Sequence, residues 1–329
     1  YSRKANDQGI ATLRLNNLTG GLHLVTAIYP GDGTYGLNSR TKVFTVDRNE
    51  SNIDVVHITP APAGEGVQFN VSMIQKINGS AILTVGDQSY NVVLTNGNGS
   101  YIVYGLMNGN YDVKVEFAGN ENYTNSSSSI KQLVVNKATT TVSLSDVTIE
   151  DGEVATILIT VTDGATGIVN VTVNEITQSI GLIDSKATVY VPNLRNGTYS
   201  ITAKYGGDDK HSASENTAHS IYVNKVSDYV FTVVASDTVV GGKSTVTVYL
   251  PSDANGNITI GTKTAKVEKG KATIVLDAET TAGEKTVTVS YALDSKYADK
   301  SGVTATYNVD KAHTSVEITV DSIYVIDIA

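Results

Sequence analysis

The chain has 329 residues, with no Cys, no Trp, five Pro and four Phe, against 18 Tyr, 29 Gly, 40 Thr and 28 Ser. The missing Cys excludes a disulfide scaffold, a thiol nucleophile, an iron–sulfur cluster and Cys-ligated zinc, and five scattered His argue against an imidazole-rich metal centre. Acids outnumber bases 33 to 24, giving a net charge of −9, whereas phosphate neutralisation needs clustered Lys and Arg, so nucleic acid is not a partner.

The apolar runs reach four or five residues, short of the roughly 20 that a membrane helix needs. The N-terminus lacks the basic, apolar, small-residue order of a signal peptide. Self-comparison explains why that carries little weight. An aromatic loop recurs as Tyr29-Pro-Gly-Asp-Gly-Thr-Tyr35, Phe117-Ala-Gly-Asn-Glu-Asn-Tyr123, Tyr205-Gly-Gly-Asp-Asp-Lys-His211 and Tyr291-Ala-Leu-Asp-Ser-Lys-Tyr297, at steps of 88, 88 and 86 residues. Each copy runs through a Ser/Thr-rich strand to a shared ending at Val46-Asp-Arg48, Val135-Asn-Lys137, Val223-Asn-Lys225 and Val309-Asp-Lys311. The chain reads as a window cut from a longer array, with its true termini elsewhere.

In chain order, residues 1–48 match the C-terminal half of a repeat, 49–137, 138–225 and 226–311 are full repeats, and 312–329 match an opening strand. Within 138–225, apolar and polar residues alternate with period 2 in Thr141–Ser145, Ala155–Val161, Ile168–Val173, Lys186–Val191, Tyr199–Tyr205 and Ser220–Val223. A short strand near Thr177 to Ile180 brings the count to about seven. Six Asn-Gly steps, at Asn78, Asn96, Asn98, Asn108, Asn196 and Asn255, are expected to supply the positive φ of tight hairpin turns. The fold class is all-β, and seven short strands in under 90 residues predict tandem immunoglobulin-like sandwiches. No Gly/Ser or Pro tract separates Lys137 from Ala138 or Lys225 from Val226, so modules should abut. At ~3.3 Å per residue the modules are ~30 Å long, and the array is expected to be an elongated rod on the order of 100 Å.

A Leu-x-x-Gly turn recurs at Leu18, Leu106 and Leu194, followed by Tyr in two copies, Tyr111 and Tyr199; His23 and Lys285 take that place in the others. A Tyr there can return its hydroxyl to the backbone as a tyrosine corner. The rival reading is a sugar-stacking platform. The loop's acidic position, Asp32, Asn120, Asp208 and Asp294, reads as a turn residue capping its own backbone. The rival is calcium at inter-domain loops, through Asp208 with Asp209 or Asn120 with Glu121, but these do not form one repeated cage of six to eight oxygens. Lys137, Lys225, Lys311 and Arg48 read as solvated charges rather than isopeptide lysines. No nucleophile elbow, phosphate loop or HExxH helix is present, so catalytic, cofactor and metal residues are assigned as none and an enzyme is not expected.

Ten Asn-x-Ser/Thr sequons, at Asn17, Asn49, Asn70, Asn78, Asn98, Asn122, Asn125, Asn170, Asn196 and Asn257, compare with about five from random placement and are candidate N-glycosylation sites.

The Tyr-x-Gly-Asp-x-x-Tyr loop, the Ser-rich strand after it and the Val-Asn-Lys ending resemble the tandem bacterial Ig-like repeats of very large surface proteins. The Thr-rich, Cys-free copies are similar to the adhesin-like proteins of methanogenic archaea. The fourth copy departs, with Leu293 for Gly in the loop and no Leu in the preceding turn. The resemblance implies an extracellular, cell-surface stalk or spacer whose partners are neighbouring repeats. Two alternatives stand beside it: a filament subunit whose closing strand completes another copy's opening half-module, and a carbohydrate-binding surface module.

Overall fold

The computed structural model describes residues 1–321 and is all-β, with 26 strands among those residues. They form two compact units, Tyr1–Thr140 with Ala165–Gly167 and Gly206–Ser214, and Thr141–Gly164 with Ile168–Tyr205 and the described residues from Glu215 onward.

In the first unit, β1 (Gly21–Tyr29) and β2 (Asn38–Val46) form an antiparallel hairpin in continuous register from Gly21 opposite Val46 to Tyr29 opposite Asn38. The strands that follow are β3 (Ile53–Thr59), β4 (Val67–Met73), β5 (Gly79–Val85), β6 (Gln88–Leu94), β7 (Asn98–Val103), β8 (Gly109–Phe117), β9 (Ser126–Ser127) and β10 (Lys131–Val135). They build two sheets, ordered β3-β4-β7 and β10-β8-β5-β6, with β9 also paired to β8. The period of 2 read from the sequence is the reason: Val67, Phe69, Val71 and Met73 of β4 all point inward, meeting Leu83, Val85, Val113 and Val115 of the facing sheet in one core. Each such side chain contributes roughly 1.5–3 kcal/mol through burial.

The second unit repeats this plan twice. Its first sandwich comprises β11 (Val142–Ser143), β12 (Val147–Glu150), β13 (Ala155–Val161), β14 (Ile168–Val173), β15 (Ile176–Gly181), β16 (Lys186–Val191), β17 (Gly197–Tyr205) and β18 (Ser214–Asn224). Its second comprises β19 (Thr232–Ala235), β20 (Thr238–Val239), β21 (Lys243–Tyr249), β22 (Asn257–Ile260), β23 (Lys263–Lys266), β24 (Lys271–Ala278), β25 (Gly283–Ala292) and β26 (Lys300–Asp310). The sheet orders are β11-β13-β16 over β12-β18-β17-β14-β15, and β19-β21-β24 over β20-β26-β25-β22-β23. This is the immunoglobulin-like sandwich expected from the sequence, in tandem copies.

Two sequence expectations are refined. The single opening strand at Thr141–Ser145 is divided: β11 pairs antiparallel with β13, and after a break β12 crosses to the other sheet to pair parallel with β18. A two-residue register is too weak a periodic signal to show in the sequence. The tight-turn role expected of all six Asn-Gly steps holds only at Asn96-Gly97, where φ is 51° and 80°. The equivalent turns of the other sandwiches are made by Asp184-Ser185 (49° and 60°) and Lys269-Gly270 (50° and 71°), and Asn174-Glu175 (49° and 66°) turns β14 into β15. The steps at Asn78, Asn98, Asn108, Asn196 and Asn255 instead stand at or beside the starts of strands, where register set by the buried face outweighs local turn preference.

Residues 311–321 pair with no strand among the described residues, and the remainder of the expected opening strand, 322–329, lies outside them.

Candidate functional site: the acidic loop and the module junctions

The recurring loop has one geometry. Asp32 Oδ1 accepts the backbone N–H groups of Thr34 and Tyr35 at 2.7 and 2.8 Å, Asn120 Oδ1 those of Asn122 and Tyr123 at 2.9 Å each, Asp208 Oδ1 those of Lys210 and His211 at 2.8 and 2.7 Å, and Asp294 Oδ1 those of Lys296 and Tyr297 at 2.7 and 3.0 Å. The acidic position is therefore a turn cap, as its spacing implied. The residue before it takes a left-handed conformation, at Gly31 (φ 89°), Gly119 (83°) and Gly207 (82°), and Leu293 adopts the same conformation at φ 65°.

Two of the caps also reach across their own sandwich. Asp208 Oδ2 accepts the N–H and the hydroxyl of Thr166 at 2.8 and 2.9 Å, and Asp294 Oδ2 accepts the N–H groups of Asn255 and Gly256 at 2.7 and 3.1 Å and the hydroxyl of Tyr291. Burial by itself would raise both carboxyls. The donors outweigh it, holding Asp208 far below the usual carboxylate range and Asp294 at about 2. Burial and the adjoining Asp294 push the Tyr291 hydroxyl well up. At Asp32 the Tyr29 hydroxyl and then the N–H groups of Thr34 and Tyr35 lower the carboxyl.

With its oxygens committed in this way, the loop fixes a junction. The first residue of each module is gripped by that module's own loop: Asn49 N–H donates to Asn122 O at 2.8 Å and Thr124 N–H returns to Asn49 O at 2.9 Å. Ala138 repeats this with Lys210 O (2.7 Å) and Ser212 N (2.9 Å), and Val226 with Lys296 O (2.8 Å) and Ala298 N (2.9 Å). The same segments bond to the preceding repeat. Gly20 N–H donates to Glu121 O at 2.8 Å, Lys137 Nζ donates to the Asp208 carbonyl, and Glu150 Oε1 accepts from Ser227 N and Oγ at 3.1 and 2.7 Å. Gly64 is covered by the Lys210 stem so closely that an added Cβ would meet Lys210 Cε at 2.9 Å.

The tyrosine corners are formed. Tyr111 OH donates to Met107 O at 3.0 Å, Tyr199 OH to Arg195 O at 2.9 Å, and both rings are half-buried. His23 Nε2 lies 2.6 Å from Thr19 O, and Lys285 Nζ donates to Thr281 Oγ1 at 2.8 Å, so all four copies close the same four-residue turn with different chemistry. Of the sequon residues, Asn17, Asn49, Asn78, Asn98, Asn122, Asn125, Asn170 and Asn196 are exposed, and Asn70 and Asn257 are half-buried. Asn196 Nδ2, the atom a glycan would occupy, donates to Val223 O at 2.8 Å. Among the described residues no group of three or more His, Cys, Asp or Glu is placed to hold a metal ion, and no helix is long and apolar enough to cross a membrane.

Sequence reasoning missed features confined to one copy, where repetition gives no signal. Buried Asp151 accepts Asn196 N–H at 2.8 Å and pairs with Arg195 at 3.3 Å. In the last sandwich Asp253 accepts from Lys296 Nζ at 2.7 Å and from Tyr297 OH at 2.6 Å, and Lys300 Nζ lies 4.1 Å from the Tyr229 ring centroid.

No protein-family model matches the chain, and no curated protein matches it. Among solved structures it is similar to the fibronectin(III)-like modules of Clostridium thermocellum CbhA (16% identity, 52% of this chain and 94% of that one, TM-score 0.23). It is also similar to the I9-I11 tandem of titin (9%, 79% and 98%, 0.25) and to FdeC, an Escherichia coli adhesin (14%, 80% and 98%, 0.26).

Proposed function

We propose that this chain is a structural segment of tandem Ig-like modules in an extracellular cell-surface adhesin or fibre, acting as a stalk or spacer that gives reach to whatever it carries. The observation that carries the reading is the repeated grip on Asn49, Ala138 and Val226, each held by two main-chain hydrogen bonds of its own module's loop. A linker of no free residues, bonded on both sides, suits a spacer, whose task is to hold distance against thermal bending. The Thr- and Ser-rich outward positions of the strands supply the wetted exterior such a segment needs. Commitment of the loop carboxylates to backbone N–H groups favours a structural role over a catalytic one. Sugar on the exposed sequons and neighbouring repeats as partners fit the same setting.

Small-angle scattering of the 329-residue chain tests this reading. A maximum dimension on the order of 100 Å or more is expected from modules of ~30 Å. A compact globule would overturn it.

A further inference from the structure

The three full repeats differ at one edge of the sandwich, where the outermost strand of the larger sheet faces the outermost strand of the smaller one. In the first, Tyr90 of β6 and Tyr101 of β7 close that edge, their rings 5.2 Å apart between centroids. In the last, Lys263 of β23 crosses to β24 and donates to the Val275 carbonyl and to Asp277 at 2.8 Å each. In the middle repeat the places of Tyr90 and Tyr101, 88 residues on, are held by Gln178 and Val189. Register fixes the equivalence. Tyr90 lies opposite Leu83 as Gln178 lies opposite Val171, and Tyr101 lies opposite Phe69 as Val189 lies opposite Ile157.

Val189 is too short to bridge the two edges, and a cavity of about 410 Å³ stands between them. Its floor is the buried apolar side chains of Val171, Val173, Val189 and Leu194. Ile176 lines it too: it shares the inward parity of Gln178 and sits opposite buried Val173, yet is 67% exposed, so apolar surface facing the gap is left uncovered. Asn174, Gln178 and Asn193 supply polar groups to the lining, and among the described residues their side-chain amides make no hydrogen bond. No charged side chain takes part. The whole lining lies between Val171 and Leu194, inside one complete repeat.

We infer that this cavity binds a small, neutral phenol, its ring taking the place that the preceding repeat fills with its own tyrosine. The volume falls within the range of small-ligand sites, roughly 300–1,000 Å³. A cavity walled by aliphatic side chains stays dry and takes up rings of benzene size. The three amides give donors and acceptors to a hydroxyl, as a half-buried tyrosine requires, and the uncharged lining disfavours an ionised ligand. On β15 the lining runs from the turn at Asn174 only as far as Gln178, which suits one ring better than an extended chain laid along the strand. The inference stands apart from the spacer reading.

The test is an NMR titration of the 329-residue chain with p-cresol, and with 4-methylcyclohexanol as the saturated control of similar shape. Saturable shifts of the Asn174, Gln178 and Asn193 backbone amides with p-cresol are expected, and affinity at least about tenfold weaker for 4-methylcyclohexanol. Gln178→Tyr, which rebuilds the plug of the preceding repeat, should reduce p-cresol affinity about tenfold or more, and Ile176→Ser about threefold. Both residues are exposed, so unchanged spectra elsewhere confirm that each variant is folded. The inference is overturned if p-cresol gives no saturable shift, if shifts gather at Tyr90 and Tyr101 instead, if 4-methylcyclohexanol binds as tightly, or if Gln178→Tyr binds as the parent does. It is overturned equally if an extended tyrosine-bearing hexapeptide shifts the β15 amides while p-cresol does not, since the site would then belong to a partner chain.

Discussion

Leu293 holds a φ of 65° at the loop position that Gly207 occupies with a φ of 82°. Without a Cβ, Gly207 meets no obstacle, whereas a Cβ there would lie 2.8 Å from His211 O and 3.0 Å from Ala213 N. Leu293 accepts the left-handed cost because Asp294, next to it, anchors five donors that fix the loop around it. Leu293→Gly is expected to stabilise the last sandwich by about 1 kcal/mol, the left-handed penalty less the added chain entropy of Gly. Gly207→Ala is expected to destabilise by about 1–2 kcal/mol. Urea denaturation of the two variants checks both signs.

Asp294 makes the last sandwich acid-sensitive. Its carboxyl lies at about 2 in the folded chain, against an unfolded value of about 3.9. A depressed folded pKa means the contribution is complete above about pH 4 and is lost as the pH falls from there through about 2. Asp294→Asn should flatten the fall in stability over that window, measured by denaturation at a series of pH values, with little change in slope near neutrality.

The tyrosine corner is a stability element. Tyr199→Phe removes the bonds to Arg195 O (2.9 Å) and from Arg195 N (3.2 Å) and leaves the ring in place. A loss of about 1 kcal/mol is expected. If the same substitution at Tyr111 and Tyr199 left the denaturation midpoint unchanged, the hydroxyls would need another role.

Stretching the chain from its ends should separate the sandwiches of the second unit. Parallel strands with oppositely loaded ends must break their ladder bonds together. The β12–β18 ladder has four residue pairs and the β20–β26 ladder two. Single-molecule extension is expected to show the β19–β26 sandwich yielding at lower force than the β11–β18 sandwich. Each step should release roughly 300 Å, from about 88 residues at up to ~3.6 Å each.

Much of the fold was legible because its signals are local and repeated. The period carried by Phe117, Tyr205 and Tyr291 and the alternation of Ile157, Ile159 and Val161 mark strands that bury one face, and a period of 2 is visible wherever a single face is apolar. Tyr111 and Tyr199 announced their corners because the hydrogen bond spans four residues. Asp32, Asn120, Asp208 and Asp294 announced their caps because the bonded N–H groups lie two and three residues on. The Asn-Gly steps misled, since Asp184-Ser185 and Lys269-Gly270 accept positive φ once the flanking strands are locked in register.

The amino-acid sequence by itself determined the all-β class and the repeat, both properties of patterns within one chain segment. Only the tertiary structure decided that the strand after Val142 divides between two sheets, and that Asp208 and Asp294 reach across to Thr166 and to Asn255 and Gly256. Those relations join residues tens of positions apart. They depend on which groups packing and register bring within hydrogen-bonding distance, and no local spacing encodes them.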